Sequence, residues 1–302
     1  MDGILPLWKP QGMTSHDCVF KVRKMLKMKK VGHTGTLDPD VTGVLPICLG
    51  RATKVAEYIT NAGKEYEGEV TIGYSTTTED SSGEKVEEKI IENPISRTEI
   101  MEVLNSLTGE IRQTPPMYSA VKVNGKRLYE YARKGIEVER PTRTVKIYNI
   151  ELLDDRDLLN GDTVSFRFRV RCSKGTYIRT LAVMIGEKLG YPSHMSFLTR
   201  ISSGSFTKQD CVTFSDLEEF IQADTLKNII LPLERGLYGL PKIEISDTLA
   251  EKVKNGAVLS METLDWSESY SEAAIFHRNQ AIAIYTAHKD KDGLVKPVKV
   301  LS

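Results

Sequence analysis

The sequence predicts an α+β fold followed by a small β-rich module, and three observations carry that expectation. Two stretches alternate apolar and polar residues as half-buried strands do. They are Lys64 to Gly73, and Thr163 to Cys172, where Val164, Phe166, Phe168, Val170 and Cys172 face one way and Arg167, Arg169 and Arg171 the other. Segments with helical spacing and legible ends are interspersed: Ser96 to Thr108, with Ser96 and Glu99 as a capping box and Gly109 beyond, and Tyr177 to Leu189, closed by Gly190. Residues 241–302 then change character, to short alternating pieces around Ile243-Ile245, Gly256-Val258, Ala274-Phe276, Ala281-Tyr285 and Val295-Val300.

At 302 residues the chain has room for two domains, or one large one with an appendage. Apolar residues make up 40%, enough for a sizeable core, and 41 cations balance 41 acids. No global polycation announces a nucleic-acid partner, although a neutral total can still hold a basic face. No apolar run reaches the length of about eighteen that a membrane span needs, and Met1-Asp2-Gly3-Ile4 is not the start of a signal peptide. Cys18, Cys48, Cys172 and Cys211 are far apart and form no C-x-x-C pair, so free thiols are expected, without metal ligation or a disulfide framework. The expectation is a cytoplasmic protein with no membrane partner.

In chain order, Gly3 to Trp8 reads as a strand stopped by the turn Lys9-Pro10-Gln11-Gly12. Thr14 or Ser15 offers an N-cap for a helix from Cys18 to Met28, whose apolar positions are Val19, Phe20, Val22, Met25 and Leu26. Six cations fall within residues 21–30 (Lys21, Arg23, Lys24, Lys27, Lys29, Lys30) with no acid among them, a surface that suits a phosphate backbone. They lead into Gly32-His33-Thr34-Gly35-Thr36-Leu37-Asp38-Pro39, a polar, glycine-punctuated stretch between a basic helix and the apolar run Val44 to Leu49. Taken alone, Asp38-Pro39 is a turn and His33 a structural residue. Gly50 to Lys54 opens another helix, and Ser75 to Glu88 reads as an exposed, hydroxyl-rich acidic loop.

Residues 114–143 break the rhythm. A Pro115-Pro116 stiffener, an Asn124-Gly125 turn, and Lys126, Arg127, Arg133, Lys134, Arg140 and Arg143 are interleaved with Tyr118, Tyr129 and Tyr131. Cations among aromatics hold phosphates and stack on splayed bases, so this reads as an RNA-contacting insertion. Arg179, in the first turn of a helix where the dipole disfavours a cation, implies an anionic partner. His194 to Phe206 gives two short strand-like pieces, Ser215 to Ala223 a helix, and Gly236 to Pro241 a linker.

These pieces resemble the bacterial tRNA pseudouridine synthases of the TruB type over nearly the whole chain. The resemblance rests on Lys9-Pro10-Gln11-Gly12-Met13-Thr14-Ser15, on Gly32 to Pro39 with Thr42-Gly43-Leu45-Pro46, and on Lys64-Glu65-Tyr66. Thr114-Pro115-Pro116-Met117-Tyr118-Ser119-Ala120 and Ser173-Lys174-Gly175-Thr176-Tyr177-Ile178-Arg179 complete it. It implies a mixed, mainly antiparallel β-sheet core over residues 1–236 with flanking helices and an RNA-gripping insertion at about 114–143. Residues 241–302 would form a β-barrel PUA-like RNA-binding domain. By the same resemblance Asp38 is the catalytic aspartate, Tyr66 stacks on the target base, Arg179 pairs with the aspartate, and His33 holds the flipped-out nucleotide. Tyr177 and Leu198 line the uracil pocket. The implied partner is the T arm of tRNA, isomerised at uridine 55 by a monomer without a guide RNA.

The implied reaction detaches uracil from the ribose C1′, turns it, and rejoins it through C5. It involves no redox change and no net hydrolysis, so no cofactor and no metal is expected. One ionised carboxylate suffices: Asp38 could attack C1′ or C6, or take the C2′ proton. A non-catalytic tRNA-binding or chaperone protein would explain the cations but not Asp38, Tyr66 and Arg179 in their motifs. A hydrolase would release free uracil. A guide-RNA-dependent enzyme is disfavoured by the insertion.

Overall fold

The computed structural model describes residues 1–302, which divide into two compact units. Met1–Pro39, Val44–Ala62 and Ser203–Ser302 form the first; Asp40–Gly43 and Gly63–Ser202 form the second.

In the first unit the Gly3–Lys9 strand lies beside residues 44–49 of the strand Thr42–Leu49, which pair antiparallel with Val31–His33 through Val31↔Leu49, Gly32↔Cys48 and His33↔Ile47. The helix Ser15–Leu26 covers these strands. Its Thr14 cap accepts the Asp17 N–H at 3.0 Å while the Asp17 carboxylate accepts the Thr14 N–H at 2.9 Å, so the first turn is closed on both sides. Cys18, Val19 and Val22 enter a core with Leu5, Leu7, Leu45, Ile47 and Phe214. Phe20 does not: expected on the apolar face, it is 69% exposed. The buried positions lie within an arc of roughly 100°, and Phe20 falls about 100° beyond Val19 at the helical angle per residue.

The C-terminal part of this unit is a five-stranded sheet in which Lys242–Glu244 runs parallel to Glu272–His277, followed by antiparallel Gln280–Ala287, Leu294–Val300 and Leu259–Ser260. Two features differ from the sequence reading. The helix Asp247–Lys254 was not expected, and the strand expected at Gly256-Val258 sits at Leu259–Ser260. The Gly236-Pro241 stretch is not a free linker, because the turn Leu233–Leu237 buries Leu233, Gly236 and Leu237. Leu233 and Leu237 share a core with Ile4, Cys48 and Val55 and with Ala274, Phe276 and Ile284 of the C-terminal sheet. Tyr58 also donates to Glu272 at 2.8 Å, and burial raises its phenol pKa.

The second unit is built on adjacent strands in the order Ser193–Ser203, Lys64–Ile72, Val164–Cys172, Arg143–Leu152 and Gly109–Gln113. The last three junctions are antiparallel, and Lys64–Ile72 meets Val164–Cys172 in full register from Lys64↔Cys172 to Ile72↔Val164. The mixed, mainly antiparallel core expected from the sequence is therefore present. Thr42 and Gly43 run parallel against Thr199 and Arg200. Gly43 has φ +122°, and a Cβ there would stand 2.2 Å from the Arg200 carbonyl oxygen, so only glycine fits.

One face of this sheet is apolar, with Val70, Phe166, Phe168 and Val170 buried under the helices Arg97–Ser106 and Ile178–Leu189. The other carries the arginines predicted for it, matched to acids on neighbouring strands: Arg169 with Glu67 at 2.7 Å and Glu151 at 3.6 Å, and Arg167 with Glu69 at 3.3 Å. The two pieces expected between His194 and Phe206 are present as the long strand Ser193–Ser203 and the short Phe206–Thr207, which turn about Gly204 and pair with each other. Ser75 to Glu88 is not a plain loop. Tyr74–Thr76 and Lys85–Glu88 pair as a hairpin, and Thr76 is buried. No helix is long and apolar enough to cross a membrane.

Candidate active site

The loop Gly32–Pro39 in the first unit is fixed at nearly every residue. His33 ends a paired strand, and its Nδ1 accepts the Gly35 N–H at 3.3 Å, which places the proton of a neutral ring on Nε2. Thr34 is fully buried, and both its N–H and its hydroxyl donate to the Pro46 carbonyl, at 3.2 and 3.1 Å. Asp38 is half-buried, and both of its chain neighbours are held. The Leu37 N–H donates to the Ser15 hydroxyl at 2.9 Å, and that hydroxyl lies 3.3 Å from the Leu37 carbonyl. The Pro39 carbonyl accepts from the Gly12 N–H at 2.9 Å and from the Lys9 ammonium at 2.9 Å, which also reaches the Pro10 carbonyl at 2.9 Å.

Lys9 and Ser15 are both fully buried. A buried ammonium needs acceptors, and burying a charge without them is costly. The segment Lys9 to Ser15 thus clamps the backbone on both sides of Asp38 and restricts where its carboxylate can point. The sequence showed both motifs but assigned no role to Lys9 or Ser15, because their contacts span 30 and 22 residues, respectively.

The second unit holds the other predicted residues. Tyr66, 8% exposed, is on the Lys64–Ile72 strand opposite Val170; Leu198, 9% exposed, is on the adjacent Ser193–Ser203 strand. Tyr177 caps the helix Ile178–Leu189, and the Gln113 side chain grips its backbone from both sides, accepting its N–H at 3.0 Å and donating to its carbonyl at 3.2 Å. Gln113 has no signal in the sequence beyond standing next to Thr114-Pro115.

Arg179 is 5% exposed, and its guanidinium donates to the carbonyls of Thr78 at 3.0 Å and Tyr118 at 2.8 Å, with Asp80 at 3.5 Å. The anionic group implied by its place in the first helical turn thus includes Asp80. That carboxylate is itself oriented by the Thr78 hydroxyl at 2.7 Å and the Ser82 N–H at 3.0 Å. The neighbouring Glu79 adopts a left-handed φ of +63° and accepts from Thr180 at 2.9 Å; burial raises its pKa. The segment 78–82 therefore belongs to the Arg179 environment, where the sequence suggested only an exposed loop. Lys64, at the start of the Tyr66 strand, is 6% exposed, and its pKa is lowered to about 8, first by burial and then by Arg200. No three His, Cys, Asp or Glu side chains come together as a metal-ligand group.

Within the 114–143 segment, Lys122–Val123 and Lys126–Arg127 form a hairpin whose turn residues Asn124 and Gly125 have φ of +50° and +81°. The guanidiniums of Arg127 and Arg133 lie 5.8 and 5.3 Å from the ring centre of Tyr129.

Two family models cover the chain from residue 23 to residue 238. TruB family pseudouridylate synthase (N terminal domain) matches residues 23–178, and tRNA pseudouridylate synthase B C-terminal domain matches residues 179–238. The chain is 58% identical over 300 residues to tRNA pseudouridine synthase B of Geobacillus thermodenitrificans, covering 99% of each. It is 57% identical over 302 residues to that of Bacillus anthracis, covering 100% of this chain and 97% of the relative. Among solved structures, a Cbf5-Nop10-Gar1 complex matches with a TM-score of 0.76 at 31% identity, covering 99% of this chain and 85% of that one. An H/ACA RNP bound to a substrate RNA containing 2′-deoxyuridine matches with a TM-score of 0.74 at 29% identity, with the same coverage.

Proposed function

This chain belongs to the TruB pseudouridylate synthase family and forms pseudouridine in tRNA, and we propose that its target is uridine 55 of the T arm with Asp38 as the catalytic carboxylate. The observation that carries the catalytic assignment is the double clamp on Leu37 and Pro39. A carboxylate whose two neighbours are fixed loses little freedom when the nucleotide arrives, and such pre-organisation is where much of an enzyme's rate enhancement lies.

The chemistry is an isomerisation. The N1–C1′ bond breaks, the uracil turns, C5 bonds to C1′, and the C5 proton leaves while N1 gains one. Asp38 can serve as nucleophile at C1′ or C6, or as base toward C2′. In this reading Arg179 and Tyr66 act on the same nucleotide. Arg179 would keep the carboxylate ionised, since an opposite charge within a few ångströms favours the anion. Tyr66 would offer its ring face to the extruded base, with His33, Tyr177 and Leu198 enclosing the flipped nucleotide. Taking the base out of its stack costs on the order of a few kcal/mol, which stacking and phosphate contacts offset.

In this reading the basic helix and the 114–143 segment receive the RNA backbone, and residues 241–302 act as a PUA-like accessory RNA-binding domain. The enzyme works as a cytoplasmic monomer without a guide RNA. The test uses purified full-length protein and an unmodified tRNA transcript, with pseudouridine mapped by chemical modification. One modification at position 55 is expected. Modification elsewhere would overturn the site assignment, and release of free uracil would point to hydrolysis instead.

A further inference from the structure

We propose that Phe20 is a stacking platform for an unpaired base of the bound tRNA, presented on the solvent face of the basic helix. The inference rests on the tRNA reading above and goes beyond it by naming a contact outside the reacting loop.

Phe20 is the most exposed large apolar side chain of the protein, at 69%. The helix does not need it for packing, because Ser15, Cys18, Val19 and Val22 already supply the buried face. On the exposed face its neighbours one turn away are His16 and Lys24, with Lys27 a further turn on, since residues three or four apart share a helix face. Lys24, Lys27, Lys29 and Lys30 are all exposed. None of the protein's ion pairs involves them, and the helix's one acid, Asp17, is engaged by its own cap. Cations near a helix C-terminus complement the dipole, which accounts for Arg23 and Lys24 but gives no reason for an aromatic ring among them. A π-face surrounded by unpaired cations is what sequence-tolerant binding of unpaired nucleotides uses: the ring stacks on a base while the ammonium groups take the phosphates.

The same face leads to the reacting loop. His16 meets His33 edge to face, ring centres 5.0 Å apart at 78°. One helical turn, about 5.4 Å of rise, separates His16 from Phe20. The stacked base therefore belongs to a nucleotide displaced from the one His33 is proposed to hold.

The test measures equilibrium binding of the tRNA transcript to the full-length protein and to Phe20→Ala, Phe20→Leu and Phe20→Trp across a salt series. Phe20→Ala and Phe20→Leu should each weaken binding by roughly ten- to a hundredfold, with the slope of log affinity against log salt unchanged because no phosphate contact is lost. Phe20→Trp should bind like the wild type and show fluorescence quenching on tRNA addition beyond that of the native Trp8 and Trp266. Full affinity of Phe20→Leu would show that the ring does not stack on a base and would overturn the proposal, as would an unquenched Phe20→Trp at saturating tRNA. If the wild type itself neither binds nor modifies tRNA, the functional reading fails; if the wild type binds and Phe20→Ala binds equally well, the stacking proposal alone fails.

Discussion

Two surfaces of this protein are rich in cations, and they are built on opposite principles. On the Val164–Cys172 strand, Arg167 and Arg169 are each matched by a glutamate on an adjacent strand. On the basic helix and just beyond it, Lys24, Lys27, Lys29 and Lys30 face solvent with no acid in reach of an ion pair. By counting charges the two segments look alike, yet a neutralised ladder has little field to offer a phosphate, whereas unpaired ammonium groups with their counterions have a great deal. Cation number alone therefore does not set the field a phosphate would meet; the absence of local acids does. With 41 cations against 41 acids over the whole chain, only such local imbalance can create a basic face.

The comparison breaks most readily at the helix. Lys24→Gln, Lys29→Gln and Lys30→Gln together should lower tRNA affinity by more than about tenfold at low salt. The slope of log affinity against log salt should fall by up to ~2–3, at ~0.7–0.9 per lost phosphate contact. Lys27 is left in place because its left-handed φ of +52° closes the helix. A filter-binding series across ionic strength reads both quantities, and an unchanged slope would refute the phosphate-surface reading. At the ladder, Arg167→Gln with Arg169→Gln should leave tRNA affinity within about twofold. It should reduce stability by only ~1 kcal/mol or less, as exposed ion pairs do, seen as a small shift in denaturant midpoint. A large binding loss there would erase the contrast.

A third setting for a cation is the buried Lys64, and its effect is read in pH dependence. Its pKa in the folded chain, about 8, lies below the ordinary 10.5, with burial as the leading cause. The folded state therefore favours the neutral amine. Its stabilising contribution is complete above about pH 10.5 and is lost as pH falls through about 8. Denaturation midpoints measured across that interval should show the wild type gaining on Lys64→Met as pH rises. Parallel curves would contradict the assignment.

Much of the architecture was legible because it is written in local periodicity. The alternation at Val164–Cys172 and the Ser96–Glu99 cap both appear where the pattern put them. What escaped was non-local or weakly patterned. The hydroxyls and acids of residues 75–88 read as solvent-seeking, yet the Thr78 carbonyl and Asp80 are turned onto Arg179, a partner 101 residues away in the chain for Thr78. The eight-residue helix Asp247–Lys254 buries only Ala250 and Val253, too few apolar positions to establish a period. Phe20 was assigned inward because it sits in an apolar run, although its angle on the helix points outward. At the site, the motifs named Asp38, Tyr66 and Arg179. The groups around the motif residues emerged only when the chain was folded: Lys9 and Ser15 beside Asp38, Asp80 at Arg179, and Gln113 at Tyr177.

The account turns on Asp38, and its most direct measurement is single-turnover pseudouridine formation by Asp38→Asn beside tRNA binding by the same protein. The substitution preserves size and leaves the clamps on Leu37 and Pro39 in place, so tRNA affinity should stay within a few-fold of wild type while pseudouridine formation is abolished. Substantial turnover by Asp38→Asn would contradict the catalytic role of this carboxylate.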